Sequence, residues 1–178
     1  MNLTKLPTFK SAGVVRCIVE SPQRAPSKYK YDPETKCFEL SRSLTKGLTY
    51  PFDWGFIPST AGPDGDPLDV MILHDSPTYP GLLLACAIIG VLEVLQQKGK
   101  DAPIRNDRIF AVPIHSHRED EIGDVAELPA RLRKEIEQFF IAAAKLDDQR
   151  LEFLGWKGPK IAEHHILDGQ KAFRKLEV

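Results

Sequence analysis

The sequence predicts an α+β fold, and three observations carry that reading. Short β-rich segments fill the first two thirds of the chain. The apolar period then changes to that of helices from Pro129 onward. No regular helices separate the early strands, which argues against a doubly wound parallel sheet. With 178 residues, the chain suits one domain spanning 1–178 and can bury a substantial core.

The elements follow in order. Val14 to Glu20 is β-rich and stops at Ser21-Pro22. Cys37 to Arg42 alternates, with Phe38 and Leu40 on one face. Leu68 to Leu73 is a short apolar strand directly after the turn Pro63-Asp64-Gly65. Leu82 to Leu95 exceeds an average strand, and Gly90 splits it, so a long strand bent at glycine is expected. Arg108 to Ile114 is a further strand. Pro129 suits a helix's first turn, and Leu132, Ile136, Phe139, Phe140 and Ala143 follow at helical spacing. A second helix is expected after Gly158-Pro159, with Ala162, Ile166, Gly169, Phe173 and Leu176 on one stripe.

Composition excludes several classes. A formal net charge of −1 gives no basic excess for nucleic acid, and the acidic turn argues further against an OB-type nucleic-acid binder. The most apolar run, Leu82 to Leu95, is too short to cross a bilayer and contains Glu93. No apolar leader opens the chain, and the three cysteines form no C-x-x-C motif. A soluble cytoplasmic protein with reduced cysteines is expected.

The most informative segment is Pro63-Asp64-Gly65-Asp66-Pro67-Leu68-Asp69. Three carboxylates within six residues repel one another unless a cation compensates. Mg²⁺ binds carboxylate oxygens and supplies that compensation. A Ca²⁺ loop needs a ligand and a glycine where Leu68 and Asp69 stand, and is set aside. Lys28, Lys30, Arg42 and Tyr50 precede the turn, as a polyanionic phosphate substrate beside Mg²⁺ requires. His115 and His117 read as an exposed loop, and His164-His165 as a solvated helix pair.

Asp64-Gly65-Asp66-Pro67-Leu68-Asp69-Val70 resembles the D-x-D-P-x-D signature of soluble inorganic pyrophosphatases. Ile18-Val19-Glu20, Ser27-Lys28-Tyr29, Arg42, Tyr50-Pro51, Trp54-Gly55-Phe56, Ala111-Val112-Pro113, Phe139-Phe140 and Gly155-Trp156 extend the resemblance over nearly the whole chain. It implies a five-stranded OB-like closed β-barrel with two flanking C-terminal helices, and Mg²⁺-dependent hydrolysis of pyrophosphate to phosphate by a homo-oligomer. It also implies roles. Asp64 and Asp69 would hold metal, with Glu20 serving an outer ion. Asp66 would hold metal and accept a proton from the attacking water or orient it. Lys28, Arg42, Tyr50 and Lys145 would hold phosphate oxygens.

The chain departs from the family pattern at Lys30, Trp54, Gln96, Asn106 and Ala144. Arg108 stands where the family has a lysine, and the resemblance makes it a substrate contact. Asp107, next to an expected carboxylate, would supply a metal ligand from a shifted register. Two functions therefore stay open: a working diphosphatase, and a pyrophosphatase-like binding or structural subunit with lost or weak activity.

Overall fold

The structure is a computed structural model that describes residues 2–117 and 121–176. Ten strands and two α-helices follow in order: β1 (Phe9–Ser11), β2 (Val14–Ser21), β3 (Ser27–Asp32), β4 (Cys37–Ser43), β5 (Asp53–Ile57), β6 (Leu68–Ile72), β7 (Leu83–Lys98), β8 (Ile104–Arg105), β9 (Arg108–Pro113), α1 (Ala130–Lys145), β10 (Gln149–Lys157) and α2 (Pro159–Leu176). The strand bounds at Val14, Cys37, Leu68 and Arg108 match the sequence expectation. β10 was not foreseen. It alternates half-buried and exposed residues along β7, and the Gln149-Arg150-Leu151-Glu152 segment carries too little apolar character to announce it.

A mixed sheet forms from these strands. Hydrogen bonding runs around a ring of five: β2 pairs β5, β5 pairs β6, β6 pairs β9, β9 pairs β7, and β7 returns to β2. Only β6 and β9 run parallel within that ring. β7 can serve both neighbours because it is long and bends. Its register with β9 shifts between Ile88 and Gly90, and Gly90 has φ +155°. A Cβ on Gly90 would come within 2.5 Å of the Lys157 carbonyl and of Val125, so a side chain is excluded there. β3 and β4 form a separate hairpin beside the ring.

The interior divides into two main apolar clusters. One joins Trp54, Met71, Leu92 and Phe110 to Ile136, Phe139 and Phe140 of α1. The other joins Val15, Ile57, Val70 and Ile109 to Ala162 and Ile166 of α2. Each helix thus covers the ring from one side, as its apolar stripe requires. Burial of a side chain such as Ile136 or Ile166 contributes about 1.5–3 kcal/mol. The α2 stripe is buried at Ala162, Ile166 and Gly169 but runs out at its end, where Leu176 is exposed. No described helix is long and apolar enough to cross a membrane.

Candidate active site

The acidic segment forms a tight turn between β5 and β6. The amide of Gly62 donates to the Asp66 carbonyl at 2.8 Å, and Gly65 adopts φ +85°. That left-handed conformation is open to glycine at no steric cost. Asp69, one residue into β6, sits opposite Phe56 of β5. The turn and the strand together bring Asp64, Asp66 and Asp69 to the wall of one cavity of about 200 Å³.

The basic and phenolic residues arrive from elsewhere in the fold. Lys28 and Arg42 are cross-strand partners in the β3–β4 hairpin, so both side chains project from one face. Two like charges opposite each other are unfavourable there without anionic company. Arg42 is ion-paired with Asp147, just beyond α1. Tyr50 is buried, with its ring 5.1 Å from that of Phe139 and its hydroxyl in contact with the Ser21 side chain. Burial pushes the phenol pKa well above its ordinary value, so Tyr50 stays protonated. Lys28, Arg42 and Tyr50 line the same cavity as the three aspartates.

Trp54, Gln96, Asn106 and Arg108 line the same cavity. The Arg108 side chain is buried. Its Nη1 donates to Asp69 Oδ2 and to Asn106 Oδ1, and its Nη2 to Gln96 Oε1 at 2.9 Å. Its guanidinium carbon lies 5.3 Å from the Trp54 ring centre and 5.8 Å from that of Phe140. The charge is therefore held by one carboxylate, two amide oxygens and two aromatic faces. Lys30 Nζ sits 2.7 Å from Asp66 Oδ2. Asp64 lies on the open rim. Partial desolvation and the nearby Asp69 carboxylate nevertheless raise its pKa.

Three of the expected residues lie outside this cavity. Lys145 is an exposed residue at the end of α1, where a phosphate contact is not brought to it. Glu20 is buried behind the hairpin, accepts the Tyr31 amide at 2.7 Å, and lines an adjoining cavity of about 560 Å³ with Lys28, Asp66 and Asp69. Burial pushes its pKa up to about 7. Asp107 is not among the pocket carboxylates. Neighbours along an extended chain face opposite ways, so Asn106 and Arg108 point inward and Asp107 outward. Asp107 accepts from the Val94 amide at 2.9 Å and from Arg105, and meets His165 Nδ1 at 2.9 Å. His165 is thus half-buried in an ion network, which corrects the reading of a solvated helix pair. His115 and His117 are exposed, as expected.

Sequence reasoning missed Asp147, the partner of Arg42. No signal announced it, because its value arises only from the approach of the β3–β4 hairpin to the end of α1.

The described residues test whether a divalent cation fits. Asp64, Asp66 and Asp69 line one cavity, but Lys30 engages Asp66 and Arg108 engages Asp69, so no three acidic, histidine or cysteine side chains are grouped to share one ion among the described residues, and Asp64 is left without an ion pair. A hard cation that keeps several waters needs only one or two carboxylates, so the Asp64 side of the cavity fits one. Gln96, Asn106 and Arg108 add no carboxylate of their own, and Arg108 already carries a positive charge beside Asp69.

Comparison with known proteins places the chain in a family. The family model described as inorganic pyrophosphatase matches residues 17–174. An inorganic pyrophosphatase from a Synechocystis species is 36% identical over 157 residues, covering 88% of this chain and 90% of the relative. One from a Nostoc species is 33% identical over the same shares. The crystal structure of the inorganic pyrophosphatase from Thermus thermophilus superposes with a TM-score of 0.89 at 31% identity, covering 98% of this chain and 99% of the other.

Proposed function

The chain belongs to the inorganic pyrophosphatase family, and from that premise we propose that its pocket hydrolyses inorganic pyrophosphate to two phosphates with Mg²⁺ as cofactor. The observation that carries this reading is the convergence of Lys28, Arg42 and Tyr50 on the same cavity as Asp64, Asp66 and Asp69. Cationic and phenolic donors and carboxylates lining one cavity match a polyanion handled beside a divalent ion. The five-strand ring with its two helices is read as the OB-like closed barrel of that family, in one domain over 1–178.

The residue roles follow from their chemistry. Asp64, Asp66 and Asp69, which line the cavity, would hold Mg²⁺, with Glu20 in the adjoining cavity serving an outer ion. The ion, when bound, supplies an acidified water and neutralises part of the pyrophosphate charge. Lys28 and Arg42 orient phosphate oxygens, and Arg42 is itself fixed by Asp147. Tyr50, kept protonated by burial, donates a hydrogen bond and not a charge. Arg108 offers the leaving phosphate a planar donor. Asp66, whose carboxylate is exposed, takes the proton of the attacking water once Lys30 releases it. Pyrophosphate and phosphate are the ligands, with no role for nucleic acid or membrane. A cytoplasmic homo-oligomer completes the reading, and exposed Ile141 and Leu146 near the end of α1 offer apolar surface for assembly.

A phosphate-release assay with pyrophosphate and Mg²⁺ tests the reading. Release well above a blank, and dependent on Asp66, supports it. Release no greater than the blank, with Asp66→Asn making no difference, overturns it. The second reading, a family member that binds phosphate with little turnover, is favoured by one observation: Asp66 and Asp69 are each engaged by a cation of the chain itself.

A further inference from the structure

We infer that Arg108 is a resident cation standing in the pocket in place of a metal ion, so that this site takes a single divalent cation, on its Asp64 side. The inference rests on the proposed pyrophosphatase site and specifies its metal content.

The pairing of charges carries it. Among the described residues of the pocket, Asp69 is held by Arg108, Asp66 by Lys30, and Asp147 by Arg42. Asp64 is the pocket carboxylate with no ion pair, and its only hydrogen bond is from the Asp66 amide at 3.2 Å. The cavity is thus close to charge balance before any metal enters. A site for several divalent cations needs the opposite, a surplus of unpaired carboxylates whose field draws each ion in.

The Arg108 position is also built, not incidental. The guanidinium is desolvated, and removing such a charge from water is costly unless its donors are matched. Asp69, Asn106 and Gln96 accept from it, while Trp54 and Phe140 flank it. Gln96 and Asn106 suit this role because their amide oxygens accept from a cation and add no charge that would call for another. Carboxylates at those two positions would attract a second metal ion to the same wall. The Nε of Arg108 and the indole Nε1 of Trp54 are buried and without acceptors. Both residues line the cavity, and the amide oxygens of Gln96 and Asn106 already accept hydrogen bonds from within the chain, so this part of the lining offers a metal few acceptors. Lys30 makes a weaker version of the same pairing, since its ion pair with Asp66 is half exposed.

Metal titration of the metal-free, full-length protein tests the inference without turnover. Mn²⁺ followed by calorimetry and by electron paramagnetic resonance should fill one site per chain. Arg108→Gln removes the guanidinium and frees Asp69, and should either add a second site or tighten the first by about tenfold or more. Arg108→Lys keeps the charge and should retain one site. If circular dichroism shows that Arg108→Gln does not fold, Lys30→Gln decides. It breaks an exposed pair, leaves the core intact, and should tighten the first ion several-fold by freeing Asp66. Inorganic phosphate should bind the unaltered protein in the presence of a chelator, and bind at least tenfold more weakly to whichever Arg108 variant lacks the charge. Two or more ions of similar affinity on the unaltered protein overturn the inference. So does Arg108→Gln, or Lys30→Gln where that variant decides, leaving ion number and affinity unchanged. Absence of phosphate release from a protein that binds one ion overturns the proposed function alone. Full turnover with several ions bound overturns the resident-cation inference alone.

Discussion

Residues Arg105 to Arg108 build two charge networks on opposite faces of one short segment, and the two differ in kind. Outward, Arg105 and Asp107 close a network with Glu93 and His165, in which each charge has an answering charge within 3.4 Å. Inward, Asn106 and Arg108 face the cavity, and buried donors on Arg108 and Trp54 have no acceptor. A closed network is a strut: it locks α2 to β7 and to the start of β9. An open one carries a cost that pairing would remove, because a buried donor left unpaired costs about 1–3 kcal/mol. The contrast separates structural from functional charge without reference to the identity of either residue set.

The sharpest way to break the contrast is at Asp66. Asp66→Asn should lower phosphate release about 10²- to 10⁴-fold, the usual worth of a positioned base. Its exposed location should leave thermal stability almost unchanged, measured by calorimetry. A stability loss larger than the activity loss would reassign Asp66 to the structural class.

Glu20 comes next. Its carboxyl has a pKa of about 7 in the folded protein against an ordinary value of 4.5. The folded state therefore binds the proton more tightly than the unfolded state. Stability from this group is greatest below about 4.5 and declines as pH rises towards 7, by on the order of 3 kcal/mol. Denaturant unfolding of the metal-free protein at pH 5 and pH 7.5 should show that decline, and Glu20→Gln should remove most of it. An identical decline in the variant would contradict the assignment.

On the outward face, Asp107→Ala should cost about 2 kcal/mol in urea unfolding, since it strands Arg105, His165 and the Val94 amide together. Phosphate release per folded molecule should fall far less than with Asp66→Asn. A loss of catalysis without a loss of stability would erase the distinction between the two faces.

The smallest effect is at His165. The Asp107 hydrogen bond raises its pKa above 6.5, despite the opposing effects of burial and of Arg105, and Glu93 adds to the rise. A group with a raised folded pKa contributes stability fully below its unfolded pKa and loses it as pH climbs through the folded value. The melting temperature should therefore fall as pH climbs from about 6.5, a component that His165→Asn abolishes. A variant with the same pH slope as the parent would show that another group titrates.

Much of the fold was legible before any coordinates. β-rich composition placed the strand at Val14, alternation the one at Cys37 and an apolar run after a turn the one at Leu68, and the Gly90 bend followed from a run too long for one straight strand. These are local properties, set by side-chain period and by glycine's backbone freedom. β10 was not legible, because an edge strand of mixed polarity has no periodic contrast of its own and exists through its pairing with β7. The candidate site divides the same way. The turn holding Asp64, Asp66 and Asp69 is contiguous, so its chemistry could be read directly. The partners of those carboxylates could not. Lys30 reaches Asp66 across 36 positions and Arg108 reaches Asp69 across 39. Register alone decided that Arg108 turns in and Asp107 turns out, since adjacent residues on an extended chain face opposite ways. The sequence by itself determined which groups carry charge and where the chain must turn. Only the tertiary structure decided which charges meet, because Coulomb attraction and desolvation depend on distances that the closed ring of strands imposes.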